Sequence, residues 1–157
     1  MSELYIRVIP TDPAWQPTRA AATAAAADVA GLFTGPGDDV ESVDPVFYED
    51  ITVIDGGEYM EDLFCTRCDA EIGLDWFWSL LNARNGGPTI RDLSATTPCC
   101  GTTLTLPDLR FEAPIGFARF EVSARNWTRR EWELSAEELT AIGSVLGHPV
   151  TQVLAHY

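Results

Sequence analysis

Apolar and β-branched residues form a short strand near each end of the chain, each time with a helical stretch and a further strand, and every cysteine lies between these two repeats. The order β-α-β, insert, β-α-β predicts an α+β protein: a ferredoxin-like sandwich of four antiparallel strands covered on one face by two helices, interrupted by a small cysteine-bearing module. The predicted sandwich halves are residues 1–56 and 113–157, with the module at 57–112.

Each element has its own signal. Leu4, Ile6 and Val8 alternate with Tyr5, Arg7 and Ile9 in a strand that Pro10 ends. After a turn at Asp12-Pro13, Pro17 is expected as a first helical residue, and alanines run on through Val29, Leu32 and Phe33 until Gly35-Pro36-Gly37 stops the helix. Between residues 45 and 54, Val46, Phe47, Ile51, Val53 and Ile54 predict a second strand. Phe117, Phe120 and Val122 predict a third over 116–122. Ser135 followed by Glu138 is a capping box, and it opens a helix through Leu139, Ile142 and Leu146. Gly147 can end that helix in a left-handed conformation, Pro149 prevents its continuation, and Val150, Val153 and Leu154 supply the last strand.

The insert carries a plan of its own. It reads as a turn at Cys65, an amphipathic helix with Leu74, Phe77, Trp78 and Leu81, a stop at Gly86-Gly87-Pro88, a strand near Ile90, a second cysteine turn, and a strand over 103–106. So small a fragment does not hold itself together by burial alone; a metal would staple it.

The thiols can do so. Cys65-Thr66-Arg67-Cys68 and Pro98-Cys99-Cys100-Gly101 hold all four cysteines of the chain, one complete tetrahedral set for Zn²⁺, so the insert reads as a zinc-ribbon-like module. One feature is irregular. A regular second pair would place its first cysteine where Thr97 stands, so Cys99 must reach the metal from a position whose side chain would point the opposite way in an extended chain. A kinked turn after Pro98 allows it. The alternatives are three cysteines with His148, His156 or an acid, a disulfide, or unliganded thiols.

Composition narrows the job. The chain has 157 residues, 46% of them hydrophobic, with five tryptophans, which is ample for a core. Its net charge is −14, and all ten basic residues are arginines, which argues against a groove for nucleic acid. Between Arg19 and Arg67 no basic residue occurs, while acids recur from Asp28 to Asp62. They read either as a solvated face or as a surface for a basic protein, with Asp38, Asp39, Glu41 and Asp44 as the candidate partner-binding residues. Those four do not match a calcium loop. No apolar run approaches the roughly 20 residues of a membrane helix, and the N-terminus lacks a secretion signal. A reducing cytoplasmic location is therefore expected, in keeping with thiols free to take a metal.

Other clusters carry less weight. Trp76, Phe77 and Trp78 read as core, and Trp127 and Trp132 around Arg129 and Arg130 as a loop before the last helix. His148 and His156 have no partner in the sequence.

Cys65-x-x-Cys68, Thr97-Pro98-Cys99-Cys100-Gly101, Gly116-Phe117-Ala118-Arg119-Phe120 and the terminal Ala155-His156-Tyr157 together resemble a family of uncharacterised small bacterial proteins, over most of the chain. The resemblance implies that the adjacent cysteines are a family pattern, which favours both as ligands, and that the Phe117 strand and the His-Tyr end belong to it as packing features. It carries no function across. Three functional classes stay open on the residues themselves. The first is a non-enzymatic, zinc-scaffolded acidic module that binds or regulates a basic protein; immunity proteins, which neutralise basic toxin enzymes, are similar in size and charge. The second is a thiol-disulfide oxidoreductase using Cys65 and Cys68, although residues including Glu71 and Gly73 stand between that pair and the helix. The third is a zinc hydrolase with Asp69 or Glu71 as base, which four thiolates would leave no open position.

Overall fold

The structure is a computed structural model and describes residues 2–85, 89–90, 92–112 and 115–157. Strand β1 (Leu4–Pro10) leads to helix α1 (Arg19–Ala30), a 3-10 turn at Gly31–Phe33 and strand β2 (Asp39–Asp55). The middle of the chain holds β3 (Leu63–Phe64), β4 (Glu71–Ile72), helix α2 (Leu74–Asn85), β5 (Thr89–Ile90), β6 (Ser94–Thr96), β7 (Thr103–Thr105), a 3-10 turn at Leu106–Asp108 and β8 (Arg110–Phe111). Strand β9 (Ile115–Thr128), helix α3 (Ala136–Leu146) and β10 (Val150–His156) follow.

Four long strands make one antiparallel sheet in the order β10-β1-β9-β2, and β5 adds a short fifth strand outside β2. The pairing places Ile6 opposite Ala124 and Val8 opposite Val122. These residues face the helices. Ile6, Val8, Phe120, Val122 and Ala124 are buried against Ala22, Ala25, Ala26 and Val29 of α1 and against Ile142 and Leu146 of α3. The small alanine side chains let α1 lie close to the sheet, and each larger apolar side chain buried there contributes about 1.5–3 kcal/mol.

Thr18 begins α1, its hydroxyl accepting the Ala21 N–H, so Pro17 stands just outside the helix and is not its first residue. At α3 the expected caps are present: Ser135 and Glu138 exchange hydrogen bonds, and Gly147 closes the helix at φ 94°.

Strands β2 and β9 are much longer than apolar content suggests, pairing from Asp39 opposite Thr128 to Asp55 opposite Ile115. Acids on one side of β2 hide a strand that Val40 and Val43 anchor on the other, where they pack on the helix-covered core. The pair is interrupted between Phe47 and Thr52. There Gln16 donates from one amide nitrogen to the carbonyls of Tyr48 and Arg119, at 2.9 Å each, and holds the bulged segment.

The insert continues from the end of this long hairpin. Strands β4, β3 and β8 form one small sheet and β6 pairs with β7 in a separate hairpin, while β5 joins the main sheet at Ile51 and Thr52. Phe77 and Leu81 of α2 are fully buried with Leu63, Ile72, Ile90 and Leu106, and Val53 and Phe117 of the main sheet belong to the same cluster. Insert and sheet therefore share apolar contact. The stop expected at Gly86-Gly87-Pro88 lies outside the described residues. Among the described residues, no helix is long and apolar enough to cross a membrane.

Candidate metal centre

Two hairpins bring the thiols together. Cys65 to Cys68 form the turn between β3 and β4, and Cys99 and Cys100 form the turn between β6 and β7. In each turn the backbone folds back on itself. The Cys65 N–H donates to the Ala70 carbonyl at 2.9 Å and the Asp69 N–H returns to the Cys65 carbonyl at 2.9 Å. The residue after the second cysteine, Asp69, stands in the left-handed region at φ 59°. Gly101 does the same after Cys100, at φ 70°.

The four sulfur atoms lie within 4.8 Å of one another. Cys65 Sγ is 3.8 Å from Cys100 Sγ, and Cys68 Sγ is 3.4 Å from Cys99 Sγ. Zinc–sulfur bonds of about 2.3 Å in a tetrahedron set sulfurs about 3.8 Å apart, so the spacing suits such an ion. The adjacent cysteines reach opposite members of the first pair, which resolves how neighbours in sequence can serve one centre. All four are free thiols; Cys65 is buried and the other three are exposed.

The four thiols differ in how readily they ionise. The Cys65 thiol is held below its ordinary value, first by the N–H of Cys68 and also by that of Arg67, 3.4 Å from the sulfur, against the desolvation it suffers. Cys100 is drawn down to about 6, first by the Thr102 hydroxyl, 3.2 Å away, and next by the Thr97 hydroxyl at 3.4 Å. Cys68 moves the other way: the Ala70 N–H favours its thiolate, but sharing a proton with Cys99, and burial after that, push it up to about 12. Four sulfurs this close would repel one another if all were thiolates, and a divalent ion would offset that repulsion. Cys65, Cys68, Cys99 and Cys100 could hold a metal ion such as zinc.

The remaining candidates fall elsewhere. Asp69 pairs with Arg110 at 3.3 Å, and Glu71 is pushed up first by a hydrogen bond shared with Asp62, so both carboxylates have partners outside the cluster. The Cys65–Cys68 pair sits in a strand-to-strand turn and not at the N-terminus of α2. His148 stacks on Trp15, and His156 lies 2.9 Å from Glu58. Phe77 is core and Trp76 and Trp78 pack against it, while Arg129 is spent on the α3 cap through Glu138 and the Glu133 carbonyl. Asp39, Glu41 and Asp44 are exposed along β2, with Asp38 half-buried at its start. Glu41 accepts from Asn126 at 2.6 Å and lies near Arg125. Sequence reasoning did not single out the hydroxyls of Thr97 and Thr102; their signal was the frame Thr97-Pro98-Cys99-Cys100-Gly101-Thr102, in which a threonine holds the first cysteine's place. No family model, curated protein or solved structure matches this chain.

Proposed function

We propose that the protein is a non-enzymatic zinc-binding module whose insert is stapled by Zn²⁺ on Cys65, Cys68, Cys99 and Cys100 and whose acidic surface binds a basic protein, as an immunity-type inhibitor would. The observation that carries the zinc reading is the convergence of four sulfurs within 4.8 Å from two separate hairpins. With four protein sulfurs on the ion no position is left for a substrate, which favours scaffold over catalyst. A zinc-ribbon-like insert is supported by one cysteine turn at the tip of each small hairpin. A ferredoxin-like host is supported by the strand order β10-β1-β9-β2 and by α1 and α3 packing on one face.

The partner reading rests on charge and on where it sits. Among the described residues only β5 pairs with the outer edge of β2, at Ile51 and Thr52, so Asp39, Glu41 and Asp44 lie along a strand with backbone to spare. Like charges along that edge oppose pairing with a second copy and favour a segment rich in arginine or lysine. Binding there would occlude the partner's own basic site. Free thiols suit a reducing cytoplasm.

Native mass spectrometry of the protein purified from its host without chelator tests both parts. A mass increase of one zinc less the released protons, together with a co-purifying basic protein, is the expected result. Loss of that zinc in Cys68→Ser is expected as well. A metal-free protein lighter by two hydrogens per bridge would overturn the zinc reading in favour of thiol redox chemistry.

A further inference from the structure

Resting on the zinc reading above, we infer that Thr97 occupies the place of the first cysteine in a second, otherwise regular cysteine turn, where its buried hydroxyl positions the Cys100 sulfur, while Cys99 supplies the displaced fourth sulfur. The two turns share the same pair of backbone hydrogen bonds. Where the Cys65 N–H donates to the Ala70 carbonyl at 2.9 Å, the Thr97 N–H donates to the Thr102 carbonyl at 2.9 Å. Where the Asp69 N–H returns to the Cys65 carbonyl at 2.9 Å, the Gly101 N–H returns to the Thr97 carbonyl at 3.1 Å. The left-handed residues Asp69 and Gly101 correspond, and so do Cys68 and Cys100 before them. Cys65 and Thr97 are both buried, at 0% and 2% exposure.

At the first position of the turn the difference is the atom at the tip of the side chain. Thr97 Oγ1 accepts the Thr102 N–H at 3.2 Å and lies 3.4 Å from Cys100 Sγ. The Thr102 N–H occupies an acceptor site of Oγ1, and the hydroxyl's own hydrogen can still be donated to the sulfur. A hydroxyl is a poor fourth ligand for zinc beside three thiolates, so this position orients a ligand and does not become one. The fourth sulfur then comes from Cys99, the counterpart of Arg67 in the other turn, 3.4 Å from Cys68 Sγ. Thr97 is thus a positioning residue, and the sulfur count is conserved while the sulfur's position in the chain is not.

The arrangement predicts that the displaced sulfur can be moved back. Wild type, Cys99→Ser, and Thr97→Cys with Cys99→Ser are titrated as full-length chains with Co²⁺ and with Zn²⁺ against a chromophoric chelator. Wild type and the double variant are both expected to show the charge-transfer intensity of a four-thiolate tetrahedral cobalt centre, and the double variant, which lacks the Thr97 hydroxyl, is expected to bind zinc more weakly than wild type but more tightly than Cys99→Ser. Cys99→Ser is expected to lose one thiolate's share of that intensity. A double variant no better than Cys99→Ser would overturn the correspondence. Failure of wild type to take up either metal would instead sink the zinc reading on which it rests. The hydroxyl is tested separately. Thr97→Val keeps the shape and removes the donor, and should weaken zinc by about 10–100-fold and move the cobalt charge-transfer band to lower energy, with Thr97→Ser restoring both. A Thr97→Val protein with wild-type affinity and spectrum would remove the positioning role.

Discussion

Arg7 and Glu121 form a largely buried ion pair on the sheet face away from α1 and α3. Their atoms meet at 2.9 Å, and their side chains are only 14% and 4% exposed. Arg7 also donates to the Tyr157 hydroxyl at 2.9 Å. Burial raises the Glu121 carboxyl above its ordinary value, and Arg7 opposes that rise. Removing the guanidinium would leave a carboxylate buried without a counter-charge. Arg7→Met is therefore expected to cost about 3–5 kcal/mol in urea unfolding, and Arg7→Met with Glu121→Leu clearly less, since neither charge then remains. A single variant as stable as wild type would show that the pair is solvated. No local pattern announces this contact, because its partners are 114 residues apart and each looks like an ordinary outward charge on a strand. The cysteines are the opposite case. Thiols are so few in this chain, and so specific in their chemistry, that the candidate ligand set was legible from spacing alone, and even the irregular place of Thr97 could be read there.

Helix α3 and the two cysteine hairpins show how far local rules reach. Burial pushes the Glu138 carboxyl up, but hydrogen bonds from Arg129 and from the Ser135 backbone outweigh it and hold the group below its ordinary 4.5. A carboxylate with a depressed value in the folded state contributes stability that is complete above about pH 4.5 and is lost as pH falls through the folded value. Glu138→Gln should accordingly flatten the acid limb of the stability curve, its cost present above about pH 4.5 and vanishing only once pH is below the folded value, as chemical denaturation at several pH values would show; an unchanged acid limb would discard the ion pair. The hairpins respond to a different variable. Chelation is expected to release amide protection in β3, β4, β6, β7 and α2 while β1, β9 and β10 keep theirs, as hydrogen exchange would report. Uniform loss across both regions would mean that the core shared through Val53 and Phe117 makes them one cooperative unit. The cap was legible from the spacing of Ser135 and Glu138, and the strand cores from their alternation. The true lengths of β2 and β9 were not, because residues 39–44 and 123–128 are held as strand by pairing with each other, a contact with no trace in either segment alone.

At the scale of the molecule, a net charge of −14 sets the terms of any encounter. Asp39 and Asp44 are exposed on β2, whereas Glu41 is engaged by Asn126. Replacing Asp39 and Asp44 with asparagine should slow association with a basic partner at low salt, by a few-fold, and leave dissociation nearly unchanged. Stopped-flow rates that do not move at low ionic strength would place the contact elsewhere. The order of the main elements was legible from end to end, yet the charge pattern could not say which acids stand free, since that depends on side chains brought in from β9. The long β2–β9 hairpin has a further consequence, for assembly as well as for shape. Asp55 meets Ile115 only after the whole insert has been looped out between them, and a cation that first ties Cys68 to Cys99 would shorten that loop by roughly half, a gain of about 0.6 kcal/mol in closure. An ion arriving early would therefore favour closure of the sheet by roughly threefold.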